Sequence, residues 1–474
     1  MFCLVPKSRT EAGGDLMLNA ELLAQVQVVA PEVLNTPMLE RLRSLVGMGV
    51  LIGIAWALST DRRRISWSLV GWGLVLQFGF AVFILKTPVG ADIFDAAGAL
   101  VVGLLGFTLR GAEFVFGNLV YETVPVGTMG EGGFSVAPGK VARTGAVFAF
   151  SVLPTIIFFS SLMAVTYHLG LMQRVVRASA WVMQRTMKTS GAESLSAAGN
   201  VFVGQTEAPL LVRPFVEKMT ESELMALMTG GFATVAGGVL AAYVGMLVAY
   251  FPDVAGHMLA ASVMSAPAAL VVAKIMLPEA GEPETAQSLD VIVEKPDVNV
   301  IDAAARGAGE GLTLALNVGA MLLAFVALIY MSNGILGWIG ALVGFDGLTL
   351  ELILGWILAP LAWVMGVPWA DAPFIGSLMG IKTVLNEFVA YLQLAGAMGE
   401  TTIGMPGGLA PRSVIIATYA LSGFANFGSI AMQIAGIGGI APSRRQDLSR
   451  LGLRAMIGGS IAAFMTATVA GMIL

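Results

Sequence analysis

Asn200-Val-Phe-Val-Gly-Gln-Thr-Glu-Ala-Pro-Leu-Leu211 sets a carboxylate, Glu207, inside an otherwise membrane-like segment. Gly380-Ile-Lys-Thr-Val-Leu-Asn-Glu-Phe-Val-Ala-Tyr391 does the same with Glu387. A carboxylate in hydrocarbon is costly, so it faces a cavity and marks a substrate or ion pathway. Each acidic segment is followed by a second interrupted one, and the two share a triplet, Gly231-Phe232-Ala233 and Gly423-Phe424-Ala425. An acidic hairpin followed by a broken helix, present twice, is the outline of a transporter built from inverted repeats.

The composition agrees with a membrane setting. Of 474 residues, 57% are hydrophobic and 12% charged, and mean hydropathy is +0.82. A soluble domain carries about 25% charged residues, so a water-facing surface is excluded and an all-α polytopic membrane protein is expected. The apolar runs are too long, and lack the alternation, for a β-barrel. Cys3 is the one cysteine, which leaves no disulfide framework or thiolate cluster. His168 and His257 lack metal-ligand spacing, so a metalloenzyme is not expected.

Outward from the hairpins, the chain divides into spans. Membrane crossings are expected at 44–60, 65–85, 145–167, 224–250, 258–277, 311–343, 413–434 and 453–474, most of them near the roughly 20 residues a bilayer requires. Residues 91–120, sprinkled with Asp92, Asp95, Arg110 and Glu113, read as an interfacial helix, as do 174–188 and 350–366. Residues 127–139 read as a glycine-rich loop. Residues 195–214 and 370–394 are the re-entrant hairpins, whose polar tips are tolerated only where buried in protein. The expected architecture is eight transmembrane helices plus two re-entrant hairpins in two inverted repeats. Its divisions are an N-terminal extension (1–44), scaffold helices with an interfacial helix (45–140), a first repeat (141–278), a cytoplasmic linker (279–304) and a second repeat (305–474). The segment before residue 40 lacks a signal-peptide core and reads as an interfacial helix or loose extension.

Three basic clusters, Asp61–Arg64, Arg174–Lys188 and Arg444–Arg454, fall on one side by this count of crossings. The positive-inside rule makes that side cytoplasmic and puts both termini outside. The 251–256 turn, free of Lys and Arg, then lies outside.

The polar groups at the breaks carry the chemistry. Gln205, Thr206 and Glu207 offer an amide, a hydroxyl and a carboxylate in a row, a set suited to a neutral polar heterocycle; the competing reading is that they only cap the hairpin. Asn386 and Glu387, with Asn426 and Ser429, can grip sugar hydroxyls. Phe424 and Phe427 read as packing unless their position says otherwise. Lys382 is a further intramembrane charge that either pairs with a carboxylate or snorkels. Glycines around Thr234 allow the first broken helix to unwind and free carbonyls for a small cation, with Thr234 and Asn200 adding side-chain oxygens; a kink for helix packing is the alternative.

Gly204-Gln-Thr-Glu-Ala-Pro209, Asn386-Glu-Phe-Val-Ala390, Gly423-Phe-Ala-Asn-Phe-Gly-Ser-Ile430, Pro411-Arg412-Ser413 and Ala441-Pro-Ser-Arg444 occur in this order. Through them the chain closely resembles the concentrative nucleoside transporter family from about Gly145 to its end. The resemblance implies a homotrimeric, cation-coupled nucleoside importer of the bacterial inner membrane, working by an elevator-like motion. It implies base contacts from Gln205, Thr206 and Val239 with Glu207 nearby, ribose contacts from Glu387, Asn426 and Ser429, and Phe424 beside the nucleoside. It implies a sodium site at Asn200, Val203, Thr234 and Val235, the valines acting through their carbonyls.

The expected function is sodium–nucleoside symport, with no cofactor beyond the coupling ion. The expected partners are a nucleoside, sodium, the lipid bilayer and copies of the same chain, with no nucleic acid. Proton coupling through Glu207 or another carboxylate is the near alternative. An intramembrane enzyme using Glu207 and Glu387 as an acid–base pair is the distant one, and no nucleophile–base constellation supports it. A passive channel fits poorly with doubled hairpins.

Overall fold

The computed structural model describes residues 36–121, 123–130, 133–143, 148–286, 297–399 and 408–474. Cys3, nearly all of the expected N-terminal extension and residues 287–296 of the expected linker lie outside that set.

Helix α1 (Met38–Ala57) and helix α2 (Trp67–Lys86) are separated by the arginine turn, where the Asp61 carboxylate accepts from the Arg63 amide at 3.0 Å. Helix α3 (Pro88–Phe116) opens with Pro88 at its first position and the Thr87 hydroxyl accepting from Gly90 N at 3.0 Å, both strong helix starts. Helices α4 (Leu153–His168) and α5 (Leu171–Met187) lead into hairpin one, made of α6 (Gly191–Asn200), a 3₁₀ turn at Ala208–Val212 and the short α7 (Arg213–Val216). The first broken helix is α8 (Glu221–Ala233) plus α9 (Gly237–Leu247), followed by α10 (Val254–Met276). In the second half, α11 (Val300–Leu342) and α12 (Leu350–Met365) precede hairpin two, α13 (Ala372–Val384) and α14 (Glu387–Gly399). The second broken helix is α15 (Pro411–Leu421) plus α16 (Phe427–Ile440), and α17 (Arg445–Ile473) ends the chain.

Several expectations change. The 127–139 loop is a two-stranded antiparallel ribbon, β1 (Thr123–Gly130) against β2 (Gly133–Arg143), running in register from Thr123 opposite Arg143 to Gly130 opposite Gly133 with an irregularity between Pro125 and Gly127. Val124, Val126, Phe134, Val136 and Val141 have the β-branched and aromatic side chains that suit strands, and they outweigh the glycines that suggested a loop. The interfacial stretch expected at 91–120 is one continuous helix, α3, with its charges gathered near its two ends; its length and composition alone would also suit a crossing. Helix α11 begins at Val300, capped by Asn299, which shortens the expected linker.

Capping chemistry explains where the hairpins and broken helices begin. Ser190 and Glu193 form a reciprocal capping box at the start of α6, and Thr220 and Glu223 form another at the start of α8. Each such cap stabilises a helix by about 1 kcal/mol. The Ser190 hydroxyl also donates to Glu223 Oε1 at 2.7 Å, so the base of hairpin one is tied to the base of the helix after it. The second half repeats the arrangement with different residues: the Ser413 hydroxyl and the Ala410 amide, at the start of α15, donate to Asp371 at the start of hairpin two, at 2.5 and 3.1 Å. Buried Lys274, on α10, pairs with Glu193 and with Glu279 (3.1 Å) beside the first of these bases.

Burial sorts the long helices into two kinds. The apolar windows of α8–α9, α10 and α17 are 89% buried, whereas those of α2, α3, α4 and α11 are between 11% and 33% buried. The first set is sheathed in protein and the second presents apolar faces outward, among them Phe114, Leu316, Leu323 and Tyr330. Helices α4 and α11 pack closely because Gly307 and Gly311 meet the backbone of Ile157, Ser160 and Ser161, the small-residue contact of membrane helices.

The basic clusters gather at one end of the molecule. Thr60, next to the arginine turn, donates its amide to Met276 O at the end of α10. Arg444 donates to Met219 O, and Arg450 pairs with Glu221 at 2.5 Å. Gly191, just past Lys188, donates to Thr285 O at 2.8 Å. The Phe251–Gly256 turn lies at the opposite end of α10.

Candidate functional site

Both helix breaks meet in the interior. Gly423 adopts φ +138, and a Cβ there would stand 2.8 Å from the Phe232 carbonyl oxygen and 3.0 Å from that of Ala233. Only glycine combines that backbone angle with so close an approach, so the shared Gly-Phe-Ala triplets mark the place where the two broken helices touch.

Around this crossing the polar side chains form two linked groups. In the first, Glu387 at the tip of hairpin two accepts at Oε1 from the Tyr243 phenol of α9 (2.8 Å) and at Oε2 from Asn426 Nδ2 (3.0 Å). Asn426 is the N-cap of α16, its Oδ1 accepting from Ser429 N at 2.8 Å. Asn386 caps α14 in the same way, accepting from Val389 N at 2.9 Å. Tyr243 stacks on Tyr391 at 4.5 Å and meets Phe388 edge-on at 4.8 Å. In the second group, Gln205 of hairpin one donates to the Ser429 hydroxyl (3.2 Å) and accepts from Gln433 Nε2 (3.0 Å), which also reaches Met228 O (3.1 Å). Ser429 therefore belongs to both groups, and hairpin one, hairpin two and both broken helices converge on it.

The other expected residues are placed as follows. Thr206 is exposed and sets its methyl against Gly436 of α16. Glu207 is exposed, and its Oε2 accepts from Gly204 N at 2.6 Å, which caps its own turn. Its outer face lines a cavity of about 740 Å³ together with Tyr167, Arg213 and Arg306. In that wall Arg306 bonds Asp297 at 2.6 and 2.9 Å and Glu310 at 2.8 Å, which holds the Asp297 carboxyl below its usual range. Val239 is buried at the start of α9, Phe424 is half-buried at the break, and Phe427 is exposed.

The four residues of the expected cation site are all buried. Thr234 donates its hydroxyl to Gly230 O at 3.0 Å, and Gly237 N reaches across to Phe202 O at 3.0 Å, pinning the hairpin tip to the break. Among the described residues, both side-chain amide atoms of Asn200 are buried without a partner. A buried amide left unpaired costs about 1–3 kcal/mol, and an oxygen-seeking cation at the break would satisfy its carbonyl. The donor set, neutral oxygens only, suits a small hard cation.

Sequence reasoning missed Tyr243, Tyr391 and Gln433. Each lies four residues after an expected site residue (Val239, Glu387 and Ser429), so one further helical turn would have found them. Lys382 neither pairs nor snorkels: wholly buried, it donates to Ala420 O at 2.8 Å.

Comparison with known proteins gives a consistent assignment. Family profiles described as Na+ dependent nucleoside transporter N-terminus and C-terminus match residues 46–119 and 257–471, and one described as nucleoside recognition matches 149–250. An uncharacterized transporter of Haemophilus influenzae is 45% identical over 434 residues, covering 91% of this chain and 98% of that one. Sodium/nucleoside cotransporter 1 of Rattus norvegicus is 40% identical over 442 residues, covering 92% of this chain and 64% of its own. The chain thus spans somewhat under two thirds of that relative's length. CNTnw, solved in an inward-facing substrate-bound state, is 44% identical with a TM-score of 0.79, covering 91% of this chain and 97% of that one; substituted variants of it have been solved in outward-facing and intermediate states. These named relatives are transporters, not enzymes. The chain is a multi-pass membrane protein of the Na+-dependent, concentrative nucleoside transporter family.

Proposed function

We propose that the chain imports nucleosides across a bacterial inner membrane by sodium symport. The observation that carries this reading is the oriented Glu387 carboxylate, held by Tyr243 and Asn426 and joined through Ser429 to Gln205 of the opposite hairpin. Each carboxylate oxygen keeps a lone pair for a ribose hydroxyl. Gln205 and Thr206 then meet the base, with Val239, Phe424 and Glu207 nearby, and Asn426 and Ser429 complete the sugar contacts. Sodium sits among Asn200, Val203, Thr234 and Val235.

Alternating access in this reading is elevator-like. The sheathed helices α8–α10 and α17 move with α15, α16 and the hairpins against the outward-facing α2, α4 and α11, which form the scaffold of a homotrimer. The two repeats run antiparallel, the arginine-rich end is cytoplasmic, and both termini are outside. A half-filled polar cavity is expensive to carry through lipid, so only the empty and fully loaded carriers cross readily.

Uridine uptake into proteoliposomes, with sodium and with choline at fixed pH, tests the coupling. Uptake that requires sodium and runs against the uridine gradient is expected. Equal uptake in choline sinks sodium coupling in favour of protons, a reading to which Glu207 lends itself, since its carboxylate faces a cavity and bonds its own turn.

A further inference from the structure

Lys382 is the most fully enclosed charged side chain among the described residues. It sits on α13, the first arm of hairpin two, five residues before Glu387. Its ammonium donates to Ala420 O at 2.8 Å and lies 5.7 Å from the centroid of the Phe464 ring on α17. Among the described residues no carboxylate lies within ion-pair distance of it. Burying an ammonium costs several kcal/mol unless its donors and charge are met, so its position demands a compensating partner.

That partner is the end of a half-helix. Ala420 is the next-to-last residue of α15, so its carbonyl is among the last four that find no acceptor role within the helix. The C-terminal end of a helix also carries partial negative charge that favours a cation. Lys382 meets both needs from the neighbouring hairpin arm, on the brink of the Ser422–Asn426 break that leads into Asn426 and Ser429.

The first half has the same junction with a different occupant. There the end of α8 presents Gly230 O, which accepts from the Thr234 hydroxyl of the break itself. The hairpin arm α6 brings Asn200 alongside, its Nδ2 lying 3.3 Å from where a Cβ on Gly230 would be, with neither amide atom partnered. One hairpin arm thus offers an unpartnered neutral amide to a half-helix end, and the other offers a resident positive charge.

We propose that Lys382 is a tethered cation that does for hairpin two what the mobile coupling ion does for hairpin one. It bridges the hairpin arm to the negative end of the broken helix and thereby holds the 422–426 break in the shape that receives the nucleoside, whatever the ion occupancy. The inference rests on the reading of the chain as a sodium-coupled nucleoside importer. It makes Lys382 a positioning residue for substrate: nucleoside affinity depends on it, and sodium affinity does not.

The test is uridine uptake kinetics in proteoliposomes for wild type, Lys382→Met, Lys382→Arg and Phe464→Leu. Lys382→Met is expected to raise the uridine KM at least tenfold, while sodium half-saturation at saturating uridine moves less than twofold. Lys382→Arg, which keeps charge and donors, is expected to recover uridine KM to within threefold of wild type. Phe464→Leu removes the ring near the ammonium, and a two- to fivefold rise in uridine KM is expected; this arm carries the test if Lys382→Met is not recovered from the membrane. Equal defects in the Met and Arg variants, a shift in sodium rather than uridine dependence, or a wild-type KM in either Lys382→Met or Phe464→Leu overturns the tethered-cation role. Wild-type protein without sodium-dependent uridine uptake instead overturns the transport reading on which it rests.

Discussion

The Tyr243 phenol and the Glu387 carboxylate, from different halves of the chain, are joined by a 2.8 Å hydrogen bond. Asn426 occupies the other carboxylate oxygen at 3.0 Å. Both partners donate, so the geometry requires an acceptor on each side. Glu387→Gln places an amide N–H against one of those donors. Uridine uptake is expected to fall at least 100-fold, about 2.7 kcal/mol, with membrane insertion intact. Wild-type uptake by that variant removes Glu387 from the site. Tyr243→Phe loses a single donor and is expected to cost about tenfold.

Gln433 is the support behind Gln205. Its side chain serves both the Gln205 carbonyl and Met228 O; Gln433→Leu leaves the Gln205 carbonyl unmet, at about 1–3 kcal/mol, while Met228 O keeps its bond within α8. The expected result is a uridine KM raised roughly tenfold with sodium half-saturation little changed. An unaltered KM shows that Gln205 holds its place without help.

Among the described residues Asn200 has no side-chain hydrogen-bond partner to lose. Asn200→Ala is therefore expected to leave thermal stability in sodium-free buffer unchanged. Sodium should raise the melting temperature of wild type by binding the folded state and should fail to do so for the variant. A variant that is less stable without sodium, yet equally stabilised by it, assigns Asn200 to structure alone.

Gly423→Ala sets a methyl against the Phe232 and Ala233 carbonyls at a φ that L-residues rarely adopt. A loss of about 3 kcal/mol or more is expected, read as a lower melting temperature in detergent and reduced yield from the membrane. An alanine variant of normal stability means that the breaks are looser than their contact distances imply.

Much of this was legible in the residues because the membrane makes polar atoms conspicuous. Glu207, Glu387, Asn426 and Ser429 stand out against apolar neighbours, and the Gly-Phe-Ala triplets pointed to both breaks. The capping boxes at Ser190 and Thr220 were equally readable, since a Ser or Thr three residues before Glu has a local mechanism. What stayed hidden was long-range pairing. Nothing near Tyr243 announces Glu387, and nothing near Lys382 announces Ala420, because those bonds form between helices that only packing brings together. The ribbon at Thr123–Arg143 was missed for the opposite reason: its glycines spoke louder than its valines. Glu207 was legible as functional material, yet the structure spends one of its oxygens on Gly204.

The contrast between sheathed and outward-facing helices has a consequence for handling the protein. Helices α8–α10 and α17 bring their own wrapping, so exchanging one detergent for another, or thick bilayers for thin ones, alters the solvent of α2, α3, α4 and α11 while leaving the ligand-bearing interior in the same surroundings. Binding measured in micelles should therefore follow binding in vesicles, whereas turnover, which in the proposed elevator-like motion needs the outer helices to stay fixed while the interior slides, should answer to the choice of lipid.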